Sequence, residues 1–397
     1  MIMNGIRFII LFLILGNIPS YLRAYFGVTL GSTASYASSL LLLLYFFFTR
    51  EKHKPQFPFI LLGILYFTLS GLNYSIGLAS DFIKEFARFM IVVICANEVL
   101  YRTNKKEIYV ILFLGALSVI VNATLFPLAN ANFYPTYGRY SGFYLNPNFA
   151  GSICLVGFAL SYSMKIKWYR IAGQLIFTLA GIFTFSRGFI VIWLLINFLS
   201  IYYSKRNLIV PVIGAGVIIV LLALSSLLSL NRERFQALQS IFESDKQIQT
   251  STITDDSRTA TWAMYTELIA DKPFFGNGFG KMRQKTSILP GVHNSYLLVL
   301  GESGFVPFLI MIGLYGYLIA FSFQFFQTNP EYFYLSCVLS LSLMVGHGYF
   351  DDFYNVLVSM FVYIELRRLK YNKRITVSVT EEEELNITKN LSEKSKI

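Results

Sequence analysis

The chain has 397 residues, of which 55% are hydrophobic and 14% charged, and its mean hydropathy is +0.56. Because soluble domains carry about 25% charged residues, this composition excludes a soluble protein and predicts a polytopic membrane protein. The net charge of +11 does not indicate a nucleic-acid partner, since the basic residues form short clusters between hydrophobic runs, as membrane orientation requires. The isolated Cys95, Cys154 and Cys337 provide neither a disulfide framework nor a zinc site.

Hydrophobic runs predict an all-α bundle of about twelve membrane spans, because a span needs about 20 apolar residues. The predicted spans are 6–22, 28–49, 57–75, 86–101, 107–126, 147–164, 168–186, 188–203, 208–230, 296–326, 331–350 and 352–366. The first run resembles a signal peptide, with Arg7 before an apolar core, but it lacks a small-x-small cleavage site. We therefore expect it to be retained in a membrane domain over residues 1–374.

Basic residues alternate between the two sides of these spans. With the N-terminus in the cytoplasm, the short outer loops hold little beyond Arg23 and Arg139. The inner basic residues are Arg7, Arg50, Lys52, Lys54, Arg102, Lys105, Lys106, Lys165, Lys167, Arg170, Lys205, Arg206, Arg367, Arg368, Lys370, Lys373 and Arg374. The positive-inside rule predicts both termini in the cytoplasm and the long polar loop 231–292 outside. The polar tail 375–397 is predicted to be disordered in the cytoplasm.

The outer loop contains one predicted amphipathic helix. Asp255 or Asp256 is a suitable cap for a helix that starts near Ser257. The apolar face consists of Trp262, Tyr265, Leu268 and Ile269. We expect this helix to lie along the outer membrane interface, with Trp262 and Tyr265 as anchors.

Two arginines on the outer side are candidates for binding phosphate. Arg258 falls in the first turn of the amphipathic helix, where backbone N–H groups also point outward. The alternative is an exposed arginine that pairs with Asp255. Arg187 lies between the seventh and eighth spans, where a charge is costly unless it is paired or faces a cavity. The alternative for Arg187 is a side chain that extends to the lipid headgroups.

His293 is the histidine beside the long loop, and its ordinary pKa near 6.5 suits a general base. Asn294 is placed to orient it or to hold a substrate hydroxyl. The alternative is a polar cap on the tenth span. His347 and Asp351 are four residues apart, so they can pair on one helical face. The pair is either a second acid–base pair or, as we expect, a support for His293.

Two further patterns lie on the predicted outer side. Asn146 and Asn148 flank Pro147 at the start of the sixth span and can bind sugar hydroxyls, with the proline in an ordinary position for a helix start. The run Gly276-x-Gly278-x-Gly280 is not a nucleotide loop, because it follows a helix and lacks the P-loop Lys-Ser/Thr. We interpret it as a turn.

Together these stretches resemble the O-antigen ligase and O-antigen polymerase superfamily of bacterial envelope glycan enzymes. The matching stretches are Arg139 to Asn148; Ser186-Arg187-Gly188; Ser257-Arg258 with Trp262 and Pro273 to Gly278; and His293 to Leu297 with Gly304. Their order, their outward side and the single long loop fit as well, so the resemblance covers most of the chain.

The resemblance implies a metal-independent, inverting glycosyltransferase without a cofactor. The implied donor is a glycan on undecaprenyl pyrophosphate at the periplasmic face of the bacterial inner membrane, and the acceptor is a glycan or lipid A-core. Arg187 and Arg258 are expected to neutralise the leaving pyrophosphate. His293 is expected to take the proton of the acceptor hydroxyl. Arg139, Asn146, Asn148 and Asn294 are expected to bind substrate.

Polymerase and ligase remain alternatives within this superfamily. Ligases share a pattern of His-Asn, nine residues, Gly, two residues, Gly. His293, Asn294 and Gly304 fit it, but Pro307 replaces the last glycine, which weakens the ligase interpretation. The alternative from another class is a flippase or other membrane transporter. A transporter should show internal repeats and polar groups at the bilayer midplane, whereas the polar groups here gather at one face.

Overall fold

The computed structural model describes residues 2–73, 78–134, 137–223, 258–283, 291–346 and 348–373. Over these ranges the chain is helical and contains no strand, which confirms the all-α prediction. The α-helices are α1 (Ile2–Leu15), α2 (Ile18–Phe26), α3 (Val28–Phe48), α4 (Phe57–Ser70), α5 (Ala79–Tyr101), α6 (Lys105–Leu125), α7 (Pro147–Ser161), α8 (Lys167–Phe183), α9 (Arg187–Tyr203), α10 (Ile209–Ala223), α11 (Arg258–Ala263), α12 (Thr266–Asp271), α13 (Ser295–Ser303), α14 (Phe305–Phe323), α15 (Pro330–Ser342) and α16 (354–373).

Within the described ranges, α3, α6 and α14 are long and apolar enough to cross a membrane. Helices α1 and α2 together form a fourth candidate, bent by 62° between them. Shorter apolar helices, among them α7 and α9, correspond to other predicted spans. The structure is thus that of a helical membrane protein, and the number of twelve spans stays a prediction.

Two predicted spans are each broken into two helices. The run 6–22 is interrupted at Asn17, whose φ of 54° is left-handed and ends a helix. The run 296–326 is interrupted at Gly304, which has a φ of 82°. A Cβ on Gly304 would lie 2.1 Å from the carbonyl oxygen of Phe274, so the site needs glycine for space as well as for conformation. Hydropathy did not reveal either break, because the few polar residues there, Asn17, Glu302 and Ser303, are flanked by long apolar runs.

Helix α7 is the centre of the bundle and is buried along nearly its whole length. It packs against α6, α8, α9 and α15, as expected for a helix that is apolar on all sides. Glycine permits the closest contacts, since a Cβ on Gly157 would lie 2.1 Å from the ring of Phe177. This packing fixes the N-terminal end of α7, which carries Asn146 and Asn148.

The described part of loop 231–292 packs on the helical body, contrary to one expectation. The predicted amphipathic helix is two short helices, α11 and α12, and Tyr265 between them is fully buried. The Tyr265 hydroxyl accepts a hydrogen bond from the N–H of Gly291 at 2.9 Å. The expectation that Tyr265 anchors the loop in the membrane interface was therefore wrong, because this side chain packs against the rest of the protein.

The glycine run after α12 is a turn, as the sequence predicted. Gly276, Gly278 and Gly280 all have positive φ, between 71° and 98°. The N–H of Gly278 donates to the carbonyl of Glu302 at 3.1 Å, and the N–H of Asn277 donates to that of Gly301 at 2.7 Å. The turn thus binds the loop to the C-terminal end of α13.

Candidate active site

Three helices begin with a side-chain cap near one another. Asn146 caps α7 by accepting the N–H of Asn148 at 2.9 Å, and Asn294 caps α13 by accepting the N–H of Tyr296 at 3.0 Å. Ser186 is the cap of α9. Such caps satisfy part of the free N–H groups of a first turn and leave others available to an anion.

Each cap is preceded by a residue in the left-handed region. Leu145, Phe185 and His293 have φ values of 60°, 48° and 45°. This conformation is costly for residues other than glycine, and it clusters at functional sites where the surroundings enforce it. The repeated arrangement makes each of these three turns a sharp entry into a helix.

A polar cavity of about 130 Å³ lies at these turns. Three predicted site residues, His293, Asn146 and Asn148, line it together. The other lining residues are Phe149, Ser152, Ser295, Ser342, Leu343, Val345, Gly346, Gly348, Tyr349, Asp351, Asp352, Tyr354 and Asn355. The cavity therefore joins the starts of α7 and α13 to the connection between α15 and α16.

Asn148 connects the cavity to a predicted arginine. Its side-chain oxygen accepts hydrogen bonds from Nη2 of Arg139 at 2.8 Å and from Oγ of Ser186 at 3.0 Å. Nε of Arg139 donates to the carbonyl of Thr184 at 2.9 Å. The Arg139 guanidinium is thus held beside the cavity wall by the turn between α8 and α9.

Of the remaining predicted site residues, Arg187 and Asn294 are not among the described residues that line the cavity. Arg187 is exposed at the start of α9, and Gly188 after it packs against Val345 of the cavity wall, so Arg187 lies near the rim. Asn294 is 4% exposed, and its oxygen is engaged in capping α13, so it positions the helix beside His293. Arg258 begins α11, but its side chain lies outside the described part of the structure.

The predicted pairing of His347 with Asp351 involves a residue outside the described ranges, because His347 is not described. Asp351 itself lies in the connection 343–353 and lines the cavity. Within the described residues, no group of three or more His, Cys, Asp or Glu side chains could hold a metal ion.

A charged cluster that the sequence did not predict lies next to the cavity. Nη1 of Arg283 lies 2.7 Å from Oε2 of Glu85 and 3.7 Å from Oδ2 of Asp351. Its Nη2 donates to the Tyr66 hydroxyl at 2.9 Å, and that hydroxyl donates to Oε2 of Glu302 at 2.5 Å. Arg283 therefore ties the outer loop to α4, α5, α13 and the connection that lines the cavity.

Burial and crowding shift the acidities in this region. Burial raises the pKa of Glu85 to about 7, with the neighbouring carboxylates adding to the rise and Arg283 opposing it. Burial raises the pKa of Asp352 to about 8, and the negative charge of Asp351 adds to it. Burial acts to lower the pKa of Arg283, but the groups around it outweigh that effect and raise it well above its ordinary value.

One signal for this cluster was present in the sequence. Glu302 is fully buried and stands alone in a run of apolar residues. A carboxylate in such a run is costly and therefore functional or paired. Its partners could not be inferred, since Tyr66 lies 236 positions away along the chain.

Two further cavities lie beyond the first, the third next to the second. A polar cavity of about 120 Å³ shares Phe149, Asp351 and Asp352 with it and is also lined by Asn17 and Arg88. Next to that, an apolar cavity of about 510 Å³ lies between α1, α2, α6 and the segment 126–143. Nδ2 of Asn17 lies 3.4 Å from the carbonyl oxygen of Phe143, which lines the apolar cavity.

The structure thus defines a helical membrane protein with a polar cavity where several helices begin. Residues 172–312 match a family described as O-antigen ligase, and this match confirms the resemblance to the O-antigen ligase and polymerase superfamily. The matched range contains Arg187, Arg258 and His293, whereas Arg139, Asn146 and Asn148 precede it. The family implies a membrane-embedded enzyme that transfers glycan. No curated protein was found to match the chain.

Proposed function

We propose that the protein is an inverting, metal-independent glycosyltransferase that moves a glycan from undecaprenyl pyrophosphate to an acceptor hydroxyl at the periplasmic face. The observation that carries the proposal is the cavity itself. His293 and Asn148 line it together, and Arg139 is bound to Asn148. A base and a cationic group beside capped helix starts are the elements that this transfer needs.

The pyrophosphate of the donor binds on the side of α7 and α9. Arg139 and Arg187 supply positive charge there, and the first turns of the two helices add N–H donors. Arg258 from the outer loop is the third cation of this group. The apolar cavity beside α1, α2 and α6 accommodates part of the prenyl chain.

The reaction is a single displacement. His293 accepts the proton of the acceptor hydroxyl while the hydroxyl oxygen attacks the anomeric carbon. The bond from that carbon to the phosphate oxygen breaks, and undecaprenyl pyrophosphate leaves with the electron pair. The arginines stabilise the negative charge that develops on the leaving group. Attack opposite the leaving group inverts the anomeric configuration.

The proposal includes the topology that the charge pattern predicts. About twelve spans place both termini in the cytoplasm and loop 231–292 in the periplasm. The cavity then opens on the side where lipid-linked glycans are assembled into polymers. Pro307, where ligases carry a second glycine, favours a polymerase that lengthens the glycan over a ligase.

The test is a transfer assay with the full chain in liposomes. Lipid-pyrophosphate-linked repeat unit is supplied as donor in the presence of a chelator, and the products are separated by size. A ladder of lengthened glycans identifies a polymerase, and single transfer to a different acceptor identifies a ligase. Donor that crosses the bilayer without forming a new glycosidic bond would instead identify a transporter and refute the proposal.

A further inference from the structure

Three residues of the cavity wall have a buried polar atom with no hydrogen-bond partner in the described protein. The atoms are Oγ of Ser342, at the end of α15, the hydroxyl of Tyr349, and Oδ1 of Asn355, in the first turn of α16. Ser342 and Asn355 are each 4% exposed and belong to the helices that bound the His293 cavity. Buried polar groups are nearly always paired, and leaving one unpaired lowers stability. Because Ser342 and Asn355 line one cavity, a ligand in that cavity is a candidate for the missing partner.

We propose that Ser342 and Asn355 bind hydroxyl groups of the sugar that occupies the cavity. This inference rests on the proposed function and adds the residues that recognise the glycan. The chemistry of the atoms selects the ligand. The amide oxygen of Asn355 can only accept a hydrogen bond, so its partner must carry a proton, as a sugar hydroxyl does and an ionised phosphate oxygen does not. The hydroxyl of Ser342 can donate or accept.

The position of this wall agrees with that assignment. The phosphate-binding groups, Arg139 with Asn148, lie on the side of α7 and α9. Ser342 and Asn355 belong to the wall formed by α15 and α16. A donor whose phosphates face the first wall therefore presents its sugar to the second, with His293 lining the same space.

Helix α15 contains matched controls for Ser342. Ser336 is also buried on this helix, and its Oγ donates to the carbonyl of Tyr332 at 2.8 Å. Ser340 donates in the same way to the carbonyl of Ser336 at 2.8 Å. Replacing Ser336 or Ser342 with alanine removes the same atom from the same helix. The hydroxyl of Ser336 already donates a hydrogen bond within the protein, whereas the hydroxyl of Ser342 has no partner in the described protein.

The two substitutions should have opposite effects. Ser342→Ala removes an unsatisfied hydroxyl, so the melting temperature without ligand should stay constant or rise, while glycan binding weakens about fivefold, the equivalent of about 1 kcal/mol for one hydrogen bond. Ser336→Ala removes a made hydrogen bond, so it should lower the melting temperature and leave binding unchanged. Asn355→Leu, of similar shape, should behave like Ser342→Ala.

The experiment uses the full chain in lipid nanodiscs. The probe is the repeat-unit oligosaccharide released by mild acid from the lipid-linked donor, and binding is measured by calorimetry beside thermal unfolding without ligand. Wild-type affinity in both Ser342→Ala and Asn355→Leu would overturn the proposal, as would absence of binding to the wild type. Binding requires no transfer. A wild-type chain that binds the oligosaccharide through these residues but forms no product would refute the proposed function alone.

Discussion

The two histidines that the structure describes lie in contrasting surroundings. The ring of His53 is stacked on Tyr101 at 4.1 Å, and its Nδ1 lies 3.0 Å from Oε2 of Glu98. Arg102 completes that group with Nη1 at 2.7 Å from the same carboxylate oxygen. His293 instead lies in a left-handed turn and lines a polar cavity.

The contrast shows that the surroundings of a histidine decide its role. His53 is held by a carboxylate and a ring, so its interactions stabilise the loop between α3 and α4 against α5. His293 lies at a left-handed turn, a conformation that is characteristic of functional sites. Both residues are histidines, so residue type does not distinguish them. Their positions do, because His293 lines the cavity and His53 does not.

The strongest test of this contrast is His293→Asn. Asparagine tolerates a left-handed backbone but supplies no base near neutral pH. We expect the transfer rate to fall by about 10²- to 10⁴-fold, the usual contribution of a general base. The melting temperature should change little. The measurement is initial rate in the liposome assay at saturating donor.

His53→Asn is the matched control. It should retain the transfer rate and lower the melting temperature, because it removes the ring that contacts Glu98 and Tyr101. Full activity in His293→Asn would remove His293 as the base and end the comparison between the two residues.

A second test compares two exposed arginines. Arg187→Gln removes a charge at the cavity rim, and Arg23→Gln removes one from α2. Loss of a charge that stabilises the leaving group should lower the rate about 10²- to 10³-fold for Arg187. Arg23→Gln should have little effect. Equal rates for both variants would show that Arg187 acts only at the lipid surface.

The sequence predicted several residues that line the cavity. Charge alternation predicted Asn148 and His293 on one side of the membrane, and residues on one side of a helical bundle are expected to lie close together. It did not find the break at Gly304, because a glycine inside an apolar run does not reveal its φ. Tyr265 was misplaced, since an apolar helical face packs equally well on lipid and on protein.

Glu302 was the one sequence signal for the cluster around Arg283, and it did not identify the partners. Glu85, which pairs with Arg283, is 198 positions away along the chain, and local spacing carries no information about such a pair. Ser342 and Asn355 were missed for a related reason. Both are ordinary polar residues near helix ends, and only the folded structure shows that their atoms are buried without a partner in the described protein.

The Arg283 cluster near the cavity resembles the group around His53, because in both an arginine pairs with a buried carboxylate. Arg283→Met leaves the fully buried Glu302 without its cation. We expect this to cost about 3–5 kcal/mol of stability, as for other broken buried pairs. It should also loosen the outer loop, which the added cleavage of residues 258–283 in limited proteolysis would report. The double variant Arg283→Met/Glu302→Gln should recover part of the lost stability, and failure to do so would show that the pairing is not what Arg283 contributes.

The stability of the protein should also depend on pH. The pKa values of Glu85 and Asp352 are raised to about 7 and about 8 in the folded protein, so the folded state binds protons more tightly than the unfolded state. Their contribution is complete below the unfolded pKa values of about 4 and is lost as the pH rises through 7 and 8. The melting temperature should therefore fall between about pH 4 and about pH 8. Asp352→Asn should reduce this fall, while Asp81→Asn, at an exposed position on α5, should not. An unchanged slope in Asp352→Asn would place the titration elsewhere and would separate the acidity of the cavity wall from the stability of the bundle.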